Sequence, residues 1–194
     1  VHAETSIVIP RPRVLMSVPL EVTEVERKAV GDAALGAGAR EVYLVEEPIA
    51  AAIGSGIDIS APTGNMIVNI GAGSTEIAVI SLRGVVTSKT IPIAGDELNR
   101  NIVQYGRDVF NLMLGERIAE EIKIAVGSAM ELDDRLEVSM RGRDLSSGLP
   151  REIMIHDGQV REAIARSVKM MIDQIKSILE ITPPELVADI YQRG

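Results

Sequence analysis

Residues Met66-Ile67-Val68-Asn69-Ile70 run into Gly71-Ala72-Gly73-Ser74-Thr75 and then into Glu76-Ile77-Ala78-Val79-Ile80. The stretch reads as a buried strand, a glycine turn carrying two hydroxyls, and a second apolar strand, so the two strands are predicted to be neighbours in a sheet. Glycines let a backbone approach a ligand closely and aim successive N–H groups into one concavity, which is a way to hold a phosphate. A turn that only reversed the chain could manage with one Asn-Gly or Asp-Gly pair. Asn69 stands out as a polar residue inside an apolar strand. Its amide is either hydrogen-bonded in the core or directed at chemistry beyond the strand's end.

The rest of the chain can bury such a sheet. It has 194 residues, 46% of them apolar, with three Tyr, one Phe and no Trp, so the core is aliphatic. This length suits one large domain or two small lobes. A formal net charge of −8 argues against broad attraction to nucleic acid or to anionic lipid. It leaves room for a local apolar membrane contact. The absence of cysteine excludes a disulfide framework and a thiolate metal site, and fits a cytoplasmic setting. No signal peptide and no bilayer-length apolar run is visible. The chain starts at Val1 and stops on Arg193-Gly194 straight after a helical pattern, so it is expected to be a piece of a longer protein.

Patterning predicts a strand over Val14–Val18, then a helix opened by Thr23-Glu24-Val25-Glu26, a capping box with Thr23 as N-cap. Gly36 or Gly38 ends that helix. A strand over Val42–Val45 follows, then Glu46-Glu47-Pro48 and a short Ala-rich helix over Ile49–Ile53. Strand–helix–strand–helix is the signature of a parallel α/β layer. Ile57–Asn65, with Pro62 and Gly64, reads as a linker. Three strands then follow over Met66–Ile70, Glu76–Ser81 and Val85–Ile93, with Arg83-Gly84 as a tight turn. Asp96 is predicted to cap a helix over about Glu97–Leu112, and a second helix covers Glu116–Val126. Strands near Leu136–Arg141 and Arg151–His156 precede a long helix from Asp157 to about Glu180, and Thr182-Pro183-Pro184 restarts a short one.

Several positions suggest chemistry, each with a plainer alternative. The N–H groups of Gly71–Thr75 and the hydroxyls of Ser74 and Thr75 suit nucleotide phosphates; the same turn also reads as an ordinary hairpin. Glu47 lies at the strand-to-helix junction, where open α/β sheets bind ligands, and a carboxylate there can orient an attacking water. Alone, it reads first as a helix N-terminal Glu favoured by the dipole. Glu120 and Lys123 can reach a ribose or an adenine edge, or form an i, i+3 ion pair. Gly95-Asp96 is a ribose- or phosphate-facing turn or a simple cap. Ile7-Val8-Ile9 is a membrane-dipping loop or a loop packed on the core.

In element order the chain matches half of a ribonuclease-H-like sugar kinase/actin ATPase domain. Long stretches carry a more specific resemblance. Val22-Thr23-Glu24-Val25-Glu26-Arg27-Lys28-Ala29-Val30, Ala37-Gly38-Ala39-Arg40-Glu41-Val42-Tyr43-Leu44-Val45-Glu46-Glu47-Pro48, Gly115-Glu116-Arg117, Arg141-Gly142-Arg143-Asp144-Leu145 and Thr182-Pro183-Pro184-Glu185-Leu186-Val187-Ala188-Asp189-Ile190 are similar to the MreB family of bacterial actin homologues. The resemblance runs from about Arg11 to Gly194. It implies an α/β, actin-like ATPase fold, a mixed sheet flanked by helices with a small α+β insertion. The implied division is 1–61 as a partial first lobe, 62–97 with 157–194 as the second lobe, and 98–156 as the insertion.

The same resemblance implies an ATPase that forms membrane-associated filaments and directs rod-shaped cell-wall growth at the inner face of the cell membrane. Gly71, Ala72, Gly73, Ser74 and Thr75 fall in the second phosphate loop, Glu47 on the water-positioning residue, Glu120 and Lys123 on the nucleoside-contacting helix, and Gly95 near the ribose. Ile7, Val8 and Ile9 fall on a membrane-insertion loop. ATP and Mg are the implied cofactors. The implied partners are further copies of the chain, the membrane surface, cell-wall synthesis proteins and transmembrane adaptors, with no nucleic acid. Asn69 stands where the family usually carries an Asp that acts through magnesium-bound water. A neutral amide there supplies less stabilisation to a cation, so magnesium affinity and turnover are expected to fall. Ala72 replaces a glycine and is expected to resist any positive φ. The family's first phosphate loop and its adenosine motif lie outside this sequence, so the chain is expected to hold about half of an ATP site and to bind nucleotide weakly. Other ATPases or kinases on this fold, and a non-catalytic interaction module, are the alternative readings.

Overall fold

The computed structural model describes residues 11–193. Contacts divide the chain into two compact units, the first formed by the described residues of Val1–Asn69, Glu76–Thr90 and Ser177–Gly194, the second by Ile70–Thr75 and Ile91–Lys176.

The first unit begins with a βαβ element. β1 (Arg13–Val18) pairs in parallel with β2 (Glu41–Glu46), with Arg13 opposite Glu41 and Val18 opposite Glu46. A parallel pair needs a crossover, and α1 (Glu24–Gly36) supplies it. The expected capping box is present: Glu26 N–H donates to Thr23 Oγ1 at 3.3 Å and Thr23 N–H to Glu26 Oε2 at 2.8 Å. α1 ends at an Ala37 C-cap, and Gly38 follows in the left-handed region at φ 106°. α2 (Glu47–Gly54) carries Pro48 in its first turn, where the missing N–H costs nothing, and buries Ala52 completely. The βαβ element leaves apolar side chains in solvent, with Leu15 71% and Val25 80% exposed.

The three-stranded sheet follows in the order β3-β4-β5, made of β3 (Asn65–Ile70), β4 (Thr75–Ser81) and β5 (Gly84–Ile91). The central strand is buried along its whole length. The turn between β4 and β5 lies one residue earlier than Arg83-Gly84. Leu82 and Arg83 both adopt positive φ, 50° and 65°. Positive φ at both central positions gives the twist that joins right-twisted strands tightly, and here it outweighs the cost to two side chains. The linker is pinned to this turn, because Arg83 N–H donates to Ile59 O at 2.7 Å. α6 (Pro184–Arg193) closes on the linker's end, where Gly64 N–H donates to Asp189 Oδ2 at 2.9 Å.

The second unit packs α3 (Gly95–Phe110), α4 (Glu116–Val126) and the first part of α5 (Asp157–Ile181) around an antiparallel sheet. That sheet runs in the order β6-β7-β8, with β6 (Leu112–Met113), β7 (Glu137–Asp144) and β8 (Pro150–His156). Ile102, Leu112, Ile122, Met140, Ile155 and Val160 form its aliphatic core. The short strand β6 was hidden in the predicted helix over Glu97–Leu112. The helix stops at Phe110 because Asn111 takes φ 54°, and Leu112 and Met113 turn to pair with Asp144 and Arg143. Asp96 is not the cap of α3. The N-cap is Ala94, and Asp96 lies in the first turn.

Candidate functional site

Inside the second unit the glycine loop forms one candidate site. Gly71, Ala72 and Gly73 are exposed and Ser74 is half-buried. Gly71 N–H donates to Ser74 O at 3.0 Å, closing the turn. The helix N-terminus behind it donates back: Gly95 N–H reaches Gly71 O at 3.1 Å and Asp96 N–H reaches Ala72 O at 2.9 Å. Those loop carbonyls satisfy the first orphan N–H groups of α3, which is why no side-chain cap is needed. Helix and loop are thereby fixed as one piece. No residue from 71 to 75 has a left-handed φ, so Ala72 fits without backbone strain and the expected resistance does not arise.

Lys123 lies under this piece. Its Nζ donates to Gly95 O at 3.2 Å, which takes it to the carbonyl of the α3 N-terminus instead of to Glu120. A Cβ on residue 95 would lie 3.3 Å from both Gly71 O and Lys123 Nζ, so the absence of a side chain keeps the three groups together. Glu120 is exposed on α4. Thr75 is fully buried, and its hydroxyl donates to Ile93 O at 2.6 Å. The Thr75 proton therefore anchors the loop to the segment entering α3, and Ser74 carries the more accessible hydroxyl. An exposed glycine loop with a half-buried ammonium behind it is chemically suited to an anion, while the first N–H groups of α3 serve to hold the loop carbonyls. A groove of about 680 Å³ between α3 and α5 shares no residue with this loop.

The first unit holds a separate cluster. Asn69 Nδ2–H donates to Glu47 Oε2 at 3.3 Å, joining β3 to the start of α2. This answers one question raised by the sequence: the amide is hydrogen-bonded, and its partner is the candidate water-positioning carboxylate. Glu76 is 1% exposed at the start of the apolar strand β4. Its Oε1 accepts the Leu20 N–H at 3.0 Å, while Oε2 has no hydrogen-bond partner. Burial pushes the Glu76 carboxyl above the usual carboxylate range. The Leu20 N–H pulls it back, the charge of Glu47 raises it, the Asn69 amide lowers it and Glu21 raises it. Among the described residues, no three His, Cys, Asp or Glu side chains group as a metal site. Asn69 and Glu47 are oxygen-bearing groups of the kind that meets magnesium through its water shell.

Comparison with known proteins decides the family. The MreB/Mbl protein family model matches residues 1–194. The chain belongs to the MreB/Mbl family. It is 47% identical over 184 residues to the cell shape-determining protein Mbl of Bacillus subtilis, covering 95% of this chain and 55% of that protein. It is 45% identical over 194 residues to the cell shape-determining protein MreB of Escherichia coli, covering 100% of this chain and 56% of that protein. Among solved structures it is similar to MreB5 of Spiroplasma citri bound to AMPPNP, with TM-score 0.90 and 37% identity over 93% of this chain and 54% of that one. The ADP-bound form of the same protein gives TM-score 0.91 at 37% identity, covering 94% of this chain and 55% of that one. A MamK double helical filament shares the fold, with TM-score 0.76 at 19% identity over 98% of this chain and 56% of that one. The actin-like α/β fold expected from the sequence is therefore the fold of this MreB/Mbl chain. The chain spans about half the length of the curated relatives it matches.

Within this family member, the second unit brings Gly71–Ser74, Gly95 and Lys123 together, and the first unit joins Glu47 to Asn69. Glu120 forms no hydrogen bond or ion pair with the loop and is exposed on α4. Ile7, Val8 and Ile9 lie outside the described residues. Glu76 was missed by sequence reasoning, although a Glu heading an otherwise apolar strand was a visible signal. No helix among the described residues is long and apolar enough to cross a membrane.

Proposed function

We propose that this chain supplies about half of the nucleotide site of an actin-like cytoskeletal protein that binds ATP with Mg. The observation that carries the reading is the clasp of the Gly71–Thr75 loop by the α3 N-terminus, with Lys123 beneath Gly95. In a relative of a protein solved with AMPPNP, that piece is the natural seat for the phosphates, and Ser74 offers its hydroxyl. Glu47 is the residue that orients the hydrolytic water. Asn69 meets Mg through water, and Glu120 and Lys123 lie on the nucleoside-contacting helix. Magnesium supplies charge neutralisation to the phosphates when bound; the chain's own groups bind, orient and accept.

The reading extends to the cell. The whole protein forms filaments with copies of itself and lies against the inner face of the cytoplasmic membrane, with Ile7, Val8 and Ile9 as the contact. It directs rod-shaped wall growth with cell-wall synthesis proteins and transmembrane adaptors. The names of its relatives, cell shape-determining proteins, support this. The division into 1–61, 62–97 with 157–194, and 98–156 belongs to the same proposal. Asn69 favours one second reading, an interaction module that keeps the fold and has lost turnover.

Calorimetric titration of the full-length parent protein with Mg-ATP tests the reading. Wild type binds, and Lys123→Ala weakens binding by about tenfold, as for loss of one charged contact. Unchanged affinity in the variant would remove Lys123 and the loop from the site.

A further inference from the structure

The first-unit cluster contains more chemistry than the nucleotide reading uses. Glu76 Oε2 is buried without a partner, and a buried carboxylate oxygen is costly to leave so. The surroundings hold the Glu76 carboxyl toward its neutral form, with Glu47 and Glu21 as the like charges facing it. The Asn69 amide acts on both acids, donating to Glu47 Oε2 at 3.3 Å and lying near enough to Glu76 to influence it. An amide has two donors and an acceptor, whereas an ionised Asp has acceptors only. An Asp at 69 would add a third acid to Glu47 and Glu76 and would offer no proton to Glu47.

We propose that Asn69 is a positioning residue which fixes the Glu47 carboxylate through its Nδ2–H, so that the amide at 69 is a working part of the site. This rests on the reading of Glu47 as the group that orients water. Asn69 gives up direct electrostatic help to a cation and in return holds Glu47 in one orientation. The idea reverses the expectation that restoring an Asp would raise turnover.

The test has two arms in the full-length protein. In the first, phosphate release is measured at saturating magnesium for wild type and Asn69→Asp, which is nearly isosteric. The expected result is a kcat about tenfold lower with the KM for ATP within about twofold of wild type, since the amide donor that orients Glu47 is lost. A kcat equal to or above wild type would overturn the proposal. A general loss of folding would instead lower the active fraction and the melting temperature together. In the second arm, thermal unfolding is followed for Asn69→Ala, Glu47→Ala and the double variant. The double variant is expected to lose less than the sum of the single losses, by about 2 °C, because the two share one bond. Additive losses would overturn it whatever the kinetics. If wild type releases no phosphate, the reading of Glu47 falls, and the unfolding cycle still decides whether Asn69 holds it.

Discussion

Glu76 is the residue at which sequence, burial and charge meet most sharply. It is the second residue of β4, the next four residues are all fully buried, and it is itself 1% exposed. Its carboxyl is raised by burial first, and Glu47 and Glu21 add to the effect. An acid raised in the folded state binds protons that the unfolded chain releases, so stability from this group is full below the unfolded value. It is lost as pH rises through the folded value. Glu76→Gln keeps an oxygen for the Leu20 N–H and removes the titration. The variant is therefore expected to gain stability relative to wild type as pH rises from about 4 to 8. Urea unfolding at several pH values checks this, and a constant difference across that range would contradict it. Thr75 is the opposite case, a buried polar group with its partner in place. Thr75→Val should cost about 1–3 kcal/mol by leaving Ile93 O unsatisfied, measured by chemical denaturation. Neither role was legible from composition. The sequence showed a hydroxyl and a carboxylate following a glycine turn; only the fold decides that one anchors the loop and the other accepts from the Leu20 N–H.

At the scale of elements, local chemistry wrote most boundaries. Thr23 and Glu26 specified the start of α1, Pro48 the start of α2, and apolar periodicity the whole of α4. Thr23→Ala is expected to cost about 0.5–2 kcal/mol, read from the same denaturation curves. Boundaries failed where a distant partner supplied what the local sequence lacked. The start of α3 is capped by Gly71 and Ala72 carbonyls, over twenty residues away in sequence, so Asp96 only looked like the cap. The strand β6 exists because β7 is there to pair with it, and two residues carry no period of their own. That pairing is close: a Cβ on Gly142 would lie 2.4 Å from Met113 O, a backbone atom with nowhere to move. Gly142→Ala is expected to destabilise the second unit by about 1–3 kcal/mol, as overpacking does, and hydrogen exchange should locate the loss in β6–β8. Protection lost evenly across both units would contradict this placement.

At the scale of the whole molecule, the family was carried by long stretches of sequence and the fold by their order, strand and helix alternating before the meander and a small α+β unit after it. The candidate residues were legible only in part: the glycine loop was plain in the sequence, whereas the partners of Lys123, Thr75 and Glu76 come from distant segments of the same unit as each, and the chain spans about half the length of the curated relatives it matches. The glycine loop and Lys123 lie in one unit; Glu47, Asn69 and Glu76 lie in the other. The 194-residue chain by itself is expected to give no saturable heat with Mg-ATP at micromolar concentrations, and micromolar affinity would overturn that. In the full-length protein the proposed role of Glu47 is to orient the water that attacks ATP. Steady-state phosphate release from wild type and Glu47→Gln tests it most directly. Wild type is expected to turn over, with a kcat about 10²–10⁴-fold lower for the variant and ATP binding retained. Equal rates in the two proteins would contradict it.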